Sequence, residues 1–459
     1  MNVPAVIENV VNNDLCIGCG LCVYICPSKA LDLQWNEFGF LIPQLNNKCD
    51  LNGECLIVCP FNPNPDKEVE TENELAVKFI IDSTKYHLKI GKYIGIYAGY
   101  SNEFRLSSSS GGIATYIFSE LLKRNVVKYI FSVRESEKQD THYEYAIIET
   151  TNDLLNASKT KYFPVTLGSV MQQINDLDGK VAIVGVACFI KAIRLAQYKQ
   201  PSLKEKIPFL VGIICGGIKS RFFTEYLAGK VGVELENIKS PQFRIKDHKS
   251  TAGDYSFGCI DKPTKKLSTI KMRAVGEMWG TGMFKANACD FCDDVTTELA
   301  DISLGDAWLE PYKNDGKGTN VIVTRSLLAD KLIEYGLKSN ELTIEILPID
   351  RFLASQQGSF NHRHKGLFVR IKQARKKGQP VPPKRFGNER LTFDFSLVQK
   401  GRMKVRQKSL DFWAQNPNAK LFDYKISKNL KRLRIATKMY HYMSAIRRKL
   451  NKHFKINLT

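Results

Sequence analysis

Seven of the twelve cysteines fall within residues 16–59, at steps of mostly three or four. Thiols so crowded in sequence do not make separate, well-shaped disulfides, and in a reducing compartment such spacing reads as metal ligation. Cys16, Cys19, Cys22 and Cys26 form a C-x2-C-x2-C-x3-C-P run that ends at Pro27. Three thiolates on one tight loop can cap three irons of a cubane, and Gly18 and Gly20 let backbone N–H groups approach the sulfides. A zinc site would need only four thiolates and no Cys-Pro ending. A second run holds Cys49, Cys55, Cys59 and Pro60, with Asn52 where the same template has a cysteine. Asn is a poor ligand for iron beside thiolates.

Both runs resemble the two-cluster 4Fe-4S domain of bacterial ferredoxins. The resemblance implies that the fourth cysteine of each run serves the other cluster. Cys16, Cys19, Cys22 and Cys59 would then hold cluster 1, and Cys26, Cys49 and Cys55 an incomplete cluster 2. Three thiolates suit a three-iron cluster, or a four-iron cluster whose last iron takes water, a carboxylate or another group; a lost second cluster is the bland alternative. Such a domain conducts electrons and transforms no substrate.

A chain of 459 residues has room for two or three domains. Pro60 to Glu74 reads as a boundary, with a polar, acidic run that has little to bury. From Gly91 to about Asp350, apolar strand-like runs alternate with helical patterns, as in an α/β domain. The strands expected are 126–133, 143–149, 180–186, 207–214, 302–304 and 320–324, and the helices 113–122, 167–177 and 222–230. Strand order is not readable from these patterns.

Within this region stand Ser107 to Gly112 before a helix, Ser158-Lys-Thr-Lys-Tyr162, Gly179 to Cys188, Cys215-Gly-Gly217, Cys289-Asp-Phe-Cys292 and Ala300 to Trp308. In order and spacing they resemble the β subunits of coenzyme F420 hydrogenases and dehydrogenases, over roughly residues 10–350. The family commonly has Thr-Pro-Cys-Gln where this chain has Val186-Ala-Cys188-Phe189, and Cys-His-Gly where it has Cys215-Gly216-Gly217. The resemblance implies FAD, carried over to Ser109, Ser110, Gly111 and Gly112. Read physically, that loop offers hydroxyls and N–H groups at a helix N-terminus, which suits an anion such as a pyrophosphate; a serine-rich cap is the plainer reading. Lys161 pairs with a phosphate or flavin carbonyl, or is merely solvated.

Cys188, Cys215, Cys289 and Cys292 make a third four-thiolate set if the two strand ends and the C-x2-C loop converge, with Cys259 the odd thiol or a substitute ligand. Against this, free cysteines at strand ends often pack as small hydrophobes. Asp306 and Trp308 are placed either to face a bound ring or to serve as a capping acid and a core indole.

The net charge of +20 is not evenly spread: residues 361–459 carry 27 Lys and Arg against 4 Asp and Glu, and the rest is close to neutral. The basic character therefore reads as a property of that segment alone. Gly378 to Pro383 breaks it, and between Ile426 and Phe454 apolar residues (Leu430, Leu433, Tyr440, Met443, Ile446, Leu450, Phe454) recur at helical steps beside Lys431, Arg432, Arg434, Arg447, Arg448 and Lys449. A basic amphipathic helix of this kind suits an anionic membrane surface or a subunit contact; no nucleic-acid recognition motif accompanies it. No run approaches the roughly eighteen apolar residues of a membrane span, and Met1 to Val11 lacks the features of a signal peptide. The expected location is the cytoplasm, with peripheral contact at the inner membrane surface.

The expected architecture is an α+β ferredoxin domain (1–65), a linker (66–90), an α/β flavin and iron–sulfur domain (91–360) and a basic helical segment (361–459). The expected function is an iron–sulfur flavoprotein oxidoreductase passing electrons through FAD to an acceptor, with a ferredoxin or another redox protein as partner. The alternatives are a non-catalytic electron-transfer subunit docking to a partner enzyme, and an F420-dependent reductase.

Overall fold

The computed structural model describes residues 3–276, 278–389 and 391–454, with side chains as far as Leu450. Gly20 adopts a left-handed conformation before helix Leu21–Ile25, and Gly53 does the same before helix Glu54–Ile57, so the two cysteine runs share one backbone design. Between them an antiparallel hairpin pairs Leu31–Trp35 with Leu41–Leu45. Its turn is fixed by the Asn36 side-chain oxygen, which accepts the N–H groups of Phe38 and Phe40. A unit of this size buries too little area to stand firmly alone. Accordingly Leu15, Ile17, Leu21, Ile25 and Phe61 share one core with Leu167, Val170, Met171, Ile190 and Ile193 from the middle of the chain.

The acidic run from Asp66 to Glu74, read from sequence as having little to bury, is ordered by its acids. Asp66 caps a short turn, and Thr71 and Glu74 form a capping box on helix Glu72–Phe79. That helix buries Leu75 and Ala76 together with Glu72, which pairs with Lys191 at 3.2 Å. Acidity there marks caps and an ion pair, not a slack connection.

The central sheet has eight strands in the order Leu342–Ile346, Gly95–Ser101, Asn320–Thr324, Ile302–Asp306, Phe209–Ile213, Val181–Val186, Tyr129–Glu135, Tyr143–Ile148. Four adjacent strands, from Ile302–Asp306 to Tyr129–Glu135, run parallel, and antiparallel strands flank them on both sides. The inner strands are nearly continuous apolar runs because both faces are covered; Phe209, Leu210 and Val211 are all buried. The expected helix over 167–177 is helical only at Gly168–Gln172 and continues as turns. Strands Gly95–Ser101 and Leu342–Ile346 go beyond the sequence expectation, as does a separate antiparallel sheet of Ile238–Ile245, Ser256–Asp261 and Leu267–Lys271.

The basic segment is not confined to a tail. Helices Leu367–Lys376, Phe393–Gln415 and Ala419–Phe454 follow one another, and Gly378, at φ +67°, lies in the break after the first. The last two pack antiparallel: Arg447 near the end of one holds Asp394 at the start of the other at 2.7 Å. Phe422, Ile426 and Leu433 are buried, and the Tyr440 ring meets Phe395 at 4.7 Å. Much of the apolar stripe thus faces this chain's own helix, while Met443 and Leu450 stay exposed. The side chain of Phe454 lies outside the described residues. No helix among the described residues is long and apolar enough to cross a membrane.

Candidate iron–sulfur relay and flavin cradle

Cys16, Cys19 and Cys22 hang from one loop, with Gly18 N–H donating to Cys16 Sγ at 3.4 Å. Cys59 arrives from the second run. Burial, and then the mutual repulsion of these groups, raises the pKa of Cys22 and of Cys59. Burial likewise pushes Cys16 up to about 12 and Cys19 up to about 11. Four such thiols stay protonated unless a metal charge deprotonates them, which an iron–sulfur cluster does. No three or more His, Cys, Asp or Glu side chains among the described residues are drawn tightly enough to hold a single ion. A cubane, whose thiolates sit on separate irons, does not require that.

Cys55 lies beside Cys26 and Cys49. Ala30 N–H donates to Cys26 Sγ and Leu51 N–H to Cys49 Sγ, both at 3.4 Å. All three cysteines line a surface cavity of about 120 Å³, together with Asp50, Asn52 and Glu8. Asn52 is already occupied: its Oδ1 accepts Glu54 N–H at 3.0 Å, and its Nδ2 donates to Asp50 Oδ2 at 3.1 Å. The donor set fits a cluster with three thiolate corners and one open corner.

The strand order explains how the third set meets. Val181–Val186 and Phe209–Ile213 are parallel neighbours with Val186 opposite Ile213. Cys188 and Cys215 each follow two residues later, at the carboxyl edge where parallel strands build sites. Cys289 comes from the short turn Asn287–Phe291 and Cys292 directly follows it. Burial raises the Cys188 pKa, and Cys292, Cys289, Cys215 and Cys19 raise it further, so this set adjoins the first. Gly217 N–H donates to Cys215 Sγ and Ile218 N–H to Cys289 Sγ, both at 3.2 Å. Burial pushes Cys292 up to about 12, and the Arg363 guanidinium donates to its Sγ at 3.3 Å. Cys259 is elsewhere, fully buried in an aromatic cluster with Phe243 and Phe257. It packs as a hydrophobe and is not a substitute ligand.

Both departures from the family pattern have a packing partner. A Cβ at Gly216 would stand 2.9 Å from the Trp279 ring, so the indole takes the space a side chain would need. Phe189 stacks on Tyr145 at 6.3 Å. Around the cysteines lies a lattice of buried charge: Lys285 and Arg406 hold Asp290 at 2.6 and 3.1 Å, Lys384 holds Asp293 at 3.5 Å, and Arg385 holds Glu298 at 2.6 Å. Burial works against the Asp290 carboxylate, yet Lys285, Arg406 and Arg370 keep its pKa below the ordinary value. The basic segment therefore reaches the chemistry, contrary to the reading from charge distribution.

Ser109 Oγ accepts Thr160 N–H at 2.8 Å, which ties loop 107–112 to the 158–162 motif. Ser110 Oγ donates to the Thr319 carbonyl at 3.2 Å. Gly112, at φ +81°, caps helix Ile113–Lys123, and a Cβ there would come within 2.6 Å of the Phe104 carbonyl carbon. The Ser108 hydroxyl is buried with no partner among the described residues. Lys161 is half-buried rather than solvated. Its Nζ donates to the Ala157 and Ser158 carbonyls, and burial pushes its pKa down to about 7. Lys246 Nζ donates to the Ser110 carbonyl at 3.1 Å and the Lys317 carbonyl at 2.7 Å. With the Arg105 carbonyl as its third acceptor, Lys246 braces the loop and has no N–H to spare, so it is the orphaned hydroxyl, the helix N-terminus and Lys161 that fit an anionic group. Asp306 pairs with Arg244 at 2.7 Å, and Trp308 is exposed, so it is no core residue. Sequence reasoning missed Arg363, Arg244, Lys246 and Trp279, because nothing in their local spacing marks them.

Fold and cysteine geometry define an iron–sulfur α/β protein with a ferredoxin-type head. Residues 15–62 match the 4Fe-4S dicluster domain. Residues 96–172 and 178–349 match the N-terminal and C-terminal parts of the coenzyme F420 hydrogenase/dehydrogenase beta subunit, and the chain belongs to that family. It is 24% identical over 317 residues to the coenzyme F420-dependent sulfite reductase of Methanocaldococcus jannaschii, covering 65% of this chain but only 43% of that protein's length. It is 21% identical over 314 residues to one of the subunits of the F(420)H(2) dehydrogenase of Methanosarcina mazei, covering 66% of this chain and 78% of that one. Among solved structures, a chain of the F420-reducing NiFe hydrogenase complex from Methanosarcina barkeri aligns at a TM-score of 0.49 with 18% identity, over 65% of this chain and 99% of that one.

Proposed function

We propose that the chain is an iron–sulfur flavoprotein oxidoreductase that passes electrons from its ferredoxin-type sites through FAD to an acceptor. The observation that carries this reading is contiguity: Cys55 lies near Cys22 and Cys59, and Cys19 near Cys188, so the three thiol sets follow one another in series. When bound, the clusters supply one-electron carriers and FAD supplies hydride chemistry. Cys26, Cys49 and Cys55 would hold the end that lines the surface cavity, Cys16, Cys19, Cys22 and Cys59 the middle, and Cys188, Cys215, Cys289 and Cys292 the inner end. Tyr162 and Trp279, edge to face at 4.7 Å, would shield that inner end from water. Ser109, Ser110, Gly111 and Gly112, with Lys161, would hold the diphosphate of the cofactor. The names of the relatives add two refinements: F420 as redox partner, and a separate enzyme subunit to which the chain docks.

Anaerobic purification, followed by iron, acid-labile sulfide and flavin analysis and by EPR before and after dithionite, tests the reading. About seven to twelve irons with bound FAD support it. About four irons without flavin refute it in favour of a one-cluster relay subunit. Reduction of added F420 by the dithionite-free, reduced protein would assign that acceptor.

A further inference from the structure

Arg363 lies beyond residues 178–349, the part that matches the family, in the basic C-terminal segment. Its side chain is nevertheless buried among the third cysteine set. Its Nη1 donates to Cys292 Sγ at 3.3 Å and to the Asp294 carbonyl at 2.6 Å, and its Nη2 to the Cys215 carbonyl. Of the surrounding acids, Asp290 is held by Lys285 and Arg406 and Asp293 by Lys384, while the Asp294 carboxylate accepts the Thr296 and Glu298 N–H groups and favours the guanidinium charge without touching it. No carboxylate forms an ion pair with Arg363 among the described residues. Burying a cation without an ion-pair partner is costly, so most of its counter-charge has to come from the thiolates and what they hold, with Asp294 adding a lesser share. A cubane on four thiolates is anionic in both oxidation states and gains one further negative charge on reduction. A fixed cation in contact with a ligating sulfur stabilises the reduced state more than the oxidised one, and does so strongly where water is excluded.

We infer that Arg363 is a positioning residue that raises the reduction potential of a cluster held by Cys188, Cys215, Cys289 and Cys292, making that site the downhill receiver of electrons from the first set. The inference rests on the third cluster of the proposed function.

EPR-monitored titration of the full-length protein with dithionite tests it, the third cluster being identified as the component lost or altered in the Cys289→Ser protein. Arg363→Gln is expected to lower the reduced-to-oxidised ratio of that component at least tenfold at a fixed potential, which for a one-electron couple is about 59 mV. Arg363→Lys, with charge kept and fork lost, is expected to stay near the wild-type potential. The surface variant Lys376→Gln is expected to leave it unchanged. Equal potentials in wild type and Arg363→Gln overturn the inference. Should Arg363→Gln fail to load, as shown by iron and sulfide, the Lys variant decides: a retained potential supports the charge argument and a large drop overturns it. If no component is lost or altered in Cys289→Ser, it is the third cluster itself that fails.

Discussion

Two cysteine runs with one template meet opposite surroundings. Gly20 and Gly53 share nearly the same left-handed backbone. A Cβ on Gly20 would lie 2.2 Å from Thr166 Oγ1 and 2.6 Å from the backbone nitrogen of Gly168, whereas one on Gly53 meets nothing within 4 Å. The first loop is wedged against the central domain, where Leu167 N–H also donates to the Cys19 carbonyl at 3.0 Å. The second opens to solvent beside Asn52. Cysteine spacing sets which cluster can form; what presses on the loop sets whether it is a guarded interior station or an exposed, exchangeable one.

The largest contrast is expected from alanine at the two glycines. Each pays the left-handed strain of about 1–2 kcal/mol, but Gly20→Ala adds an overlap worth about 1–3 kcal/mol more. Thermal melts should show Gly20→Ala clearly destabilised and depleted in iron, with Gly53→Ala only mildly affected; equal losses would break the comparison. Next, Asn52→Cys supplies the missing thiolate. Iron should rise by about one per chain and a three-iron EPR signal should give way to a four-iron one; an unchanged spectrum would mean that the open corner does not exist.

A smaller effect should follow from acid. His142 packs against Phe163, which also meets Trp35 of the hairpin, so it stands in the brace that the second loop lacks. Burial, with Lys262 and Arg221, pushes its pKa down to about 4, below the ordinary value of about 6.5. Between those values the unfolded chain binds more protons, so stability is full above about pH 6.5 and falls as pH drops toward 4. Chemical denaturation at pH 6.5 and 4.5 should show a loss on the order of 1 kcal/mol that His142→Gln reduces. Lys161, whose pKa is displaced further, gives the same sign at higher pH: stability should rise between pH 7 and 10, and Lys161→Met should flatten that rise.

Strands such as Val181–Val186 and Asn320–Thr324 were legible because buried parallel and central strands are apolar without interruption. The N-terminal sites were legible because their ligands are close in sequence. Convergence of Cys188 with Cys215 was not, since it depends on two strands being neighbours in register. Helix Glu72–Phe79 looked like a linker because its acids serve a cap and a buried lysine, and neither partner is visible locally. Arg363 was hidden among 27 basic residues, most of them with no tie to the cysteines.

When Cys292 leaves the ribosome, Asp290, Asp293 and Glu298 exist without Arg385, Arg406 or Lys384, which are synthesised about ninety to a hundred and fifteen residues later. Carboxylates cannot be withdrawn from water unpaired, so the loop that carries the inner cysteines would stay open until the chain is nearly complete. The cysteines of the first two sets are all made by residue 59. In the reading proposed above, the outer sites could load once residues 167–193 complete their core and the inner one only after residues 384–406 are made, so a protease that clipped the C-terminal segment would unseat the inner site first.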